Sequence, residues 1–146
     1  MLEFPDINGQ QWPSYTCQTA GRPKMSNEKT EIKVVNNTAY FKGSSTWDTI
    51  DVTLLDPISE PSSRRVYEWL LLHHNSKTGV DGYKSEYAKD ITLKMLSPLG
   101  TTIQEWKLHR AWIENADFGD LDYSSSEPLN VSITLAYDYP DLPSTT

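Results

Sequence analysis

Asp120 and Asp122 stand one residue apart, and Ser124, Ser125, Ser126 and Glu127 follow them in the stretch FGDLDYSSSEP. Alternating oxygens followed by hydroxyls are how many loops collect ligands for a hard cation. A calcium loop of the EF-hand kind also needs a central Gly and a bidentate Glu at its twelfth position. Here Leu121 and Tyr123 are large apolar neighbours, and no Gly follows. Carboxylate pairs for glycoside hydrolysis could be drawn from Asp120, Asp122, Glu105 or Glu114, but that chemistry is defined by separation in space. His73 and His74 are adjacent, so on a helix they point about 100° apart and cannot easily grip one metal; His109 falls on a strand-like run. There is no Ser-His-Asp signature, Gly-rich phosphate loop or nucleophile elbow. No catalytic residue, metal site or cofactor is expected. The Asp-Ser run reads as a polar connection between two strands.

Aromatic side chains offer a second chemistry, stacking on sugars. Five tryptophans and eight tyrosines are present. Trp69 falls on a helical stripe, and Trp106 and Trp112 fall in phase on a strand, so these three read as core. Trp12 and Trp47 lie near loop positions and are the residues a carbohydrate-binding β-sandwich would use.

The chain of 146 residues suits a single domain spanning 1–146. Its net charge of −7 and pI near 4.8 provide no overall basic footprint for nucleic acid. Cys17 is the only cysteine, so no intrachain disulfide can form. The opening MLEFPDINGQ lacks the basic and apolar regions of a secretory signal.

The elements that must position these residues are mostly strands. Leu129, Val131, Ile133, Leu135, Tyr137 and Tyr139 alternate with Asn130, Ser132, Thr134, Ala136 and Asp138, which predicts one buried and one polar face. Ile50, Val52 and Leu54 repeat the pattern. Ile91, Leu93 and Met95 lead into Ser97-Pro98-Leu99-Gly100, whose Pro and Gly placement predicts a turn and therefore a hairpin with the following run, TTIQEWKLHRAWI. One segment has helical spacing. Val66, Trp69, Leu70 and His73 recur at i, i+3, i+4 and i+7, with Tyr67 and Leu71 widening the stripe. Ser59 is a possible N-cap and Pro61 suits a first turn, so a helix is predicted over about 61–75.

Residues 31–43, EIKVVNNTAYFKG, predict two short strands about an Asn36-Asn37 turn, with polar flanks. Lys24, Lys29, Lys33 and Lys42 make this stretch locally basic within an acidic chain. A hairpin so flanked is expected to project over about 22–45, and exposed edge strands find partners.

The order is strand, projecting hairpin, strand, helix, hairpin, loop and long final strand. Against that order, EWKLHRAWIENADFGDLDYSSSEPLNVSITLAYDY resembles the C-terminal signature of the tail tube proteins of contractile-tailed bacteriophages. The match is carried by Gly119, Asp120, Leu121, Asp122, Tyr123, Ser124 and Ser125 and by Tyr137-Asp138. Upstream, STWDTIDVTLLD followed by VYEWLL is also similar to that family, so the resemblance covers roughly 14–140. A corner that often contains Pro in the family is WIENADFGD here. The Hcp-type tube proteins of type VI secretion are similar in fold.

The resemblance implies a mainly β fold of two packed antiparallel sheets, a β-sandwich or partly open barrel, with one flanking α-helix. It implies homohexameric rings stacked into a tube within a sheath, in a virion tail assembled in the host cytoplasm. The implied partners are further copies of the chain, the tail sheath protein, baseplate and neck proteins at the tube ends, and DNA passing through the lumen without specific binding. A tube-initiating or tube-terminating baseplate or neck protein shares the fold. In the ring-stacking hairpin the implied residues are Lys24, Glu31, Lys33, Val34, Asn36, Asn37, Tyr40 and Lys42. Asn130, Ser132, Thr134 and Asp138 are candidates to face the lumen, on alternation together with resemblance. Six copies at −7 each would give a ring of about −42, a charge that repels DNA from the wall.

Overall fold

The computed structural model describes residues 2–4, 17–57, 61–121, 124 and 128–143. In chain order the elements are β1 (Leu2–Glu3), β2 (Cys17–Ala20), β3 (Met25–Val34), β4 (Asn37–Trp47), β5 (Ile50–Leu55), α1 (Ser62–His73), β6 (His74–Asn75), β7 (Val80–Asp81), α2 (Lys84–Tyr87), β8 (Lys89–Leu96), β9 (Thr102–Asp117), β10 (Asn130–Ala136) and β11 (Tyr139–Asp141). The main sheet has seven strands in the order β1-β8-β9-β10-β5-β2, with β11 also on β9, and every pairing is antiparallel. The two sheets expected from the sequence are two halves of this one path. They share β9, which pairs β8 and β11 through its first part and β10 through its last.

Alternation sets the core. Ile50, Val52 and Leu54 of β5 and Val131, Ile133 and Leu135 of β10 are buried, and they form one cluster with Ile91, Leu93 and Leu108 from the other half. The register Ile133↔Val52 sets these two rows side by side on one face of the sheet, and a slip of one residue would turn the slipped strand's row to water. α1 covers the cluster with Val66 and Trp69, both wholly buried. Tyr67 is about half exposed and does not widen that stripe. Arg64 and Glu68 pair at 3.4 Å. The helix starts from Pro61, and Ser59 lies outside the described residues. Asp56 substitutes as a cap, its carboxylate accepting from the Ser63 N–H at 3.2 Å, while the Ser62 hydroxyl donates to the Leu55 carbonyl at 2.6 Å.

β9 departs from simple alternation. Arg110 has φ of +53°, in the left-handed region that costs a non-glycine residue roughly 1 kcal/mol or more. Its N–H donates to the Asp90 carboxylate at 3.1 Å, and the ladder to β8 shifts register there. The buried residues therefore run Leu108, Ala111, Ile113, and Trp112 turns off the core face on which its spacing from Trp106 would place it. The predicted final strand breaks at the same point. β10 ends at Ala136 opposite Trp112, and β11 resumes with Tyr139 opposite His109. Tyr139 is about half exposed and stacks on the His109 ring at 4.6 Å.

The Ser97–Gly100 turn forms as expected, the Gly100 N–H donating to the Ser97 carbonyl at 2.9 Å. The β6–β7 ribbon and α2 were not expected from the sequence. They pack where a Cβ on Gly82 would overlap the Leu72 carbonyl oxygen, so that position requires glycine.

Candidate functional site

Three surfaces carry the expected residues. The first is the β3–β4 hairpin, a two-stranded sheet that among the described residues is hydrogen-bonded to no other strand. All ten residues of β3 are exposed. The strands are longer than expected because their polar flanks pair too, Ser26 with Thr46 and Asn27 with Ser45. The turn is Val35-Asn36 rather than Asn36-Asn37: only Asn36 adopts positive φ, at 65°, and Asn37 already pairs with Val34.

Register divides the hairpin into two faces. One carries Lys29, Glu31, Lys33, Thr38, Tyr40 and Lys42, and the Lys29 ammonium sits 3.8 Å from the Tyr40 ring centroid. The other carries Thr30, Ile32, Val34, Ala39 and Phe41. Phe41, Val34 and Ile32 are 57%, 58% and 44% exposed. The residues expected here are thus split. Glu31, Lys33, Tyr40 and Lys42 share the charged face, Val34 and Asn37 lie on the apolar one, Asn36 is in the turn, and Lys24 precedes β3. Ile32 and Phe41 were missed, although Thr30-Ile32-Val34 and Ala39-Phe41 show period-two spacing.

The second surface is the non-core face of β5, β10 and the end of β9. Asn130, Ser132 and Thr134 stand opposite Leu55, Thr53 and Asp51, and Ser132 and Thr134 also oppose Asp117 and Asn115. The Thr134 hydroxyl donates to the Asp51 carboxylate at 2.9 Å. Apart from Leu55, these rows hold amides, hydroxyls and carboxylates, and no Lys or Arg. Asp138 does not join them. It sits at the break between β10 and β11, where its carboxylate accepts from Lys84 Nζ and Arg110 Nε, each at 2.7 Å. The Lys84 hydrogen bond, with Arg110 adding to it, holds Asp138 below the usual carboxylate range.

The third is the family-signature loop. Gly119 has φ of +75°, and its N–H is held by the Asp117 carboxylate at 2.9 Å. Asp120, Leu121 and Ser124 are exposed. Asp122, Tyr123 and 125–127 lie outside the described residues, as does Trp12. Trp47 pairs with Met25 at the base of the hairpin and is half-buried. Glu105 and Glu114 are nine residues apart on β9, roughly 30 Å of strand at about 3.3 Å per residue, too far for a hydrolytic pair. Among the described residues, no three His, Cys, Asp or Glu side chains converge to hold a metal. No helix there is long and apolar enough to cross a membrane.

The histidines have separate roles. His73 Nδ1 lies 2.8 Å from the Trp69 carbonyl, and Nε2 accepts from the Ile113 N–H at 3.2 Å, which fixes a neutral ring with its proton on Nδ1. The ring stacks on Tyr87 at 4.6 Å with Trp112 beside both. Burial pushes its pKa below the ordinary 6.5, against the opposing pull of the Trp69 hydrogen bond. His74 points elsewhere and pairs with Asp81.

Comparison with known proteins adds three observations. The family described as T4-like virus tail tube protein gp19 matches residues 12–140. No curated protein matches the chain significantly. Among solved structures, the tube-terminating cap of the anti-feeding prophage is similar with a TM-score of 0.74 at 16% identity, over 99% of this chain and 88% of that one. The sheath-tube complex of the extracellular contractile injection system PVC is similar with a TM-score of 0.74 at 18% identity, over 99% and 87%. Hcp1 from Flavobacterium johnsoniae is similar with a TM-score of 0.59 at 11% identity, over 97% and 94%.

Proposed function

Because the chain belongs to the T4-like virus tail tube protein family, we propose that it is the repeating subunit of a tail tube, forming hexameric rings that stack inside a sheath and conduct DNA. The single observation carrying this reading is the projecting hairpin. An isolated two-stranded ribbon is marginal in water, and this one exposes Ile32, Val34 and Phe41 together on one face, with Val35 at the turn. A surface of that kind is stable and soluble when another copy covers it. The virion tail, assembled in the host cytoplasm, is the matching location, with sheath, baseplate and neck proteins as neighbours.

The polar face suits the lumen. Asn130, Ser132 and Thr134, with Asp51, Asn115 and Asp117 beside them, offer DNA phosphates no cation to bind. Asp138, already held by Lys84 and Arg110, leaves this row.

A tube-terminating role at the end of the tail is the second reading. The prophage cap and the PVC sheath-tube complex match this chain with the same TM-score, 0.74, so the fold suits both positions.

Deleting Glu31–Lys42 tests the proposal. The body is expected to melt as the full chain does in dilute solution, and assembly is expected to be lost in sedimentation. Normal assembly after the deletion would refute the role given to the hairpin.

A further inference from the structure

One cleft remains unused by the surfaces above. It lies where the end of α1 meets β7 and α2 and has a volume of about 480 Å³. Leu71, Leu72, Val80 and Tyr83 line it, with the Asp81 and Glu86 carboxylates among them. Val80 and Tyr83 are 63% and 78% exposed, so the cleft presents apolar surface to water. Its walls are fixed in advance. The Gly82 N–H donates to the His73 carbonyl at 3.1 Å, and Trp69 Nε1 donates to the Tyr87 carbonyl at 2.8 Å, tying α2 to the core.

The hairpin tip has the complementary chemistry. Val34 and Val35 are 58% and 89% exposed, and Lys33 adjoins them. Residues 22–47 hold five of the chain's 13 basic and two of its 20 acidic side chains, a net +3 that leaves −10 on the rest. The basic arm is therefore matched electrostatically to the acidic body of another copy. Reach agrees with this. A strand of ten residues extends about 33 Å, close to the diameter of a domain of this size. The cleft volume is at the small end for binding pockets and suits two or three aliphatic side chains.

We infer that the tip of one copy, Lys33 to Asn36, seats in this cleft of an adjoining copy. Val34 and Val35 lie against Leu72, Val80 and Tyr83, and Lys33 meets Asp81 and Glu86. The inference rests on the tube reading and names the receiving surface for its hairpin. The contact is heterologous: each copy gives one tip and receives one, so it propagates through an assembly.

The test uses the full chain carrying Cys17→Ser, Val35→Cys and Thr78→Cys, Thr78 being an exposed residue of the cleft. After assembly and mild oxidation, non-reducing electrophoresis is expected to show a ladder of dimers, trimers and larger species. Chains with only one of the two introduced cysteines stop at dimers. Particles that sediment normally but give no ladder beyond those controls would overturn the inference and leave the tube reading intact; the cleft would then be open to another occupant, such as a sheath segment. Failure of the unsubstituted chain to assemble under the same conditions would overturn both. A second pair guards against a folding artefact. Lys33→Glu is expected to weaken assembly at least tenfold, and adding Glu86→Lys to restore it; unchanged assembly in Lys33→Glu would contradict the contact.

Discussion

Replacing Phe41 by Thr isolates the apolar face of the hairpin, because Thr keeps strand propensity while removing the ring. A Phe side chain buries about 200 Å² in full, so 57% exposure leaves roughly 110 Å² to be covered by a neighbour. At about 25 cal/mol per Å², covering it stabilises each contact by ~3 kcal/mol, or about 100-fold in association. Thr retains some of this area, and buried area converts incompletely to affinity, so the expected rise in half-assembly concentration is about 10- to 100-fold. Sedimentation velocity across a dilution series measures it. Phe41 is no part of the core cluster, so the monomer's unfolding free energy from urea titration in dilute solution should change by less than about 0.5 kcal/mol. Assembly at the wild-type concentration would contradict a buried Phe41, because the exposed ring would then have no partner to lose.

Further predictions concern the body. His73 is held neutral by burial, so below its ordinary 6.5 the unfolded chain binds a proton that the folded chain refuses. Its contribution to stability is complete above that pH and declines as pH falls toward the depressed folded value. Urea midpoints from pH 8 to 5 should show this decline in the wild type and less of it in His73→Leu, which also loses about 1–3 kcal/mol by leaving the Ile113 N–H unpaired. Gly82→Ala forces a Cβ onto the Leu72 carbonyl and should cost about 1–3 kcal/mol in chemical denaturation. Ser132→Lys with Asn130→Lys should leave assembly intact yet make the particles retain single- or double-stranded DNA at low salt, released as salt rises.

The sequence shows its periodic parts clearly. β10 and β5 are legible because one face is buried and the other wet, and α1 because Val66 and Trp69 recur at helical spacing onto that same core. What alternation could not reveal was the break at Arg110. One left-handed residue, stabilised by Asp90 and Asp138, reverses the phase of β9 and carries Trp112 to the opposite face. The same bend explains why Asp138 becomes an ion-pair centre rather than the last residue of a polar row. The hairpin was visible as a projection but not in its register. Both of its faces are exposed, so no buried row marks which residues belong together. The β6–β7 ribbon and α2 are too short to carry a period at all.

A ribbon exposed on both faces calls for self-assembly of the chain. Electron microscopy of the purified full chain in negative stain, at rising concentration, is the direct measurement. Six-fold rings that lengthen into tubes are the predicted result. A compact monomer that persists to the highest concentration would contradict it.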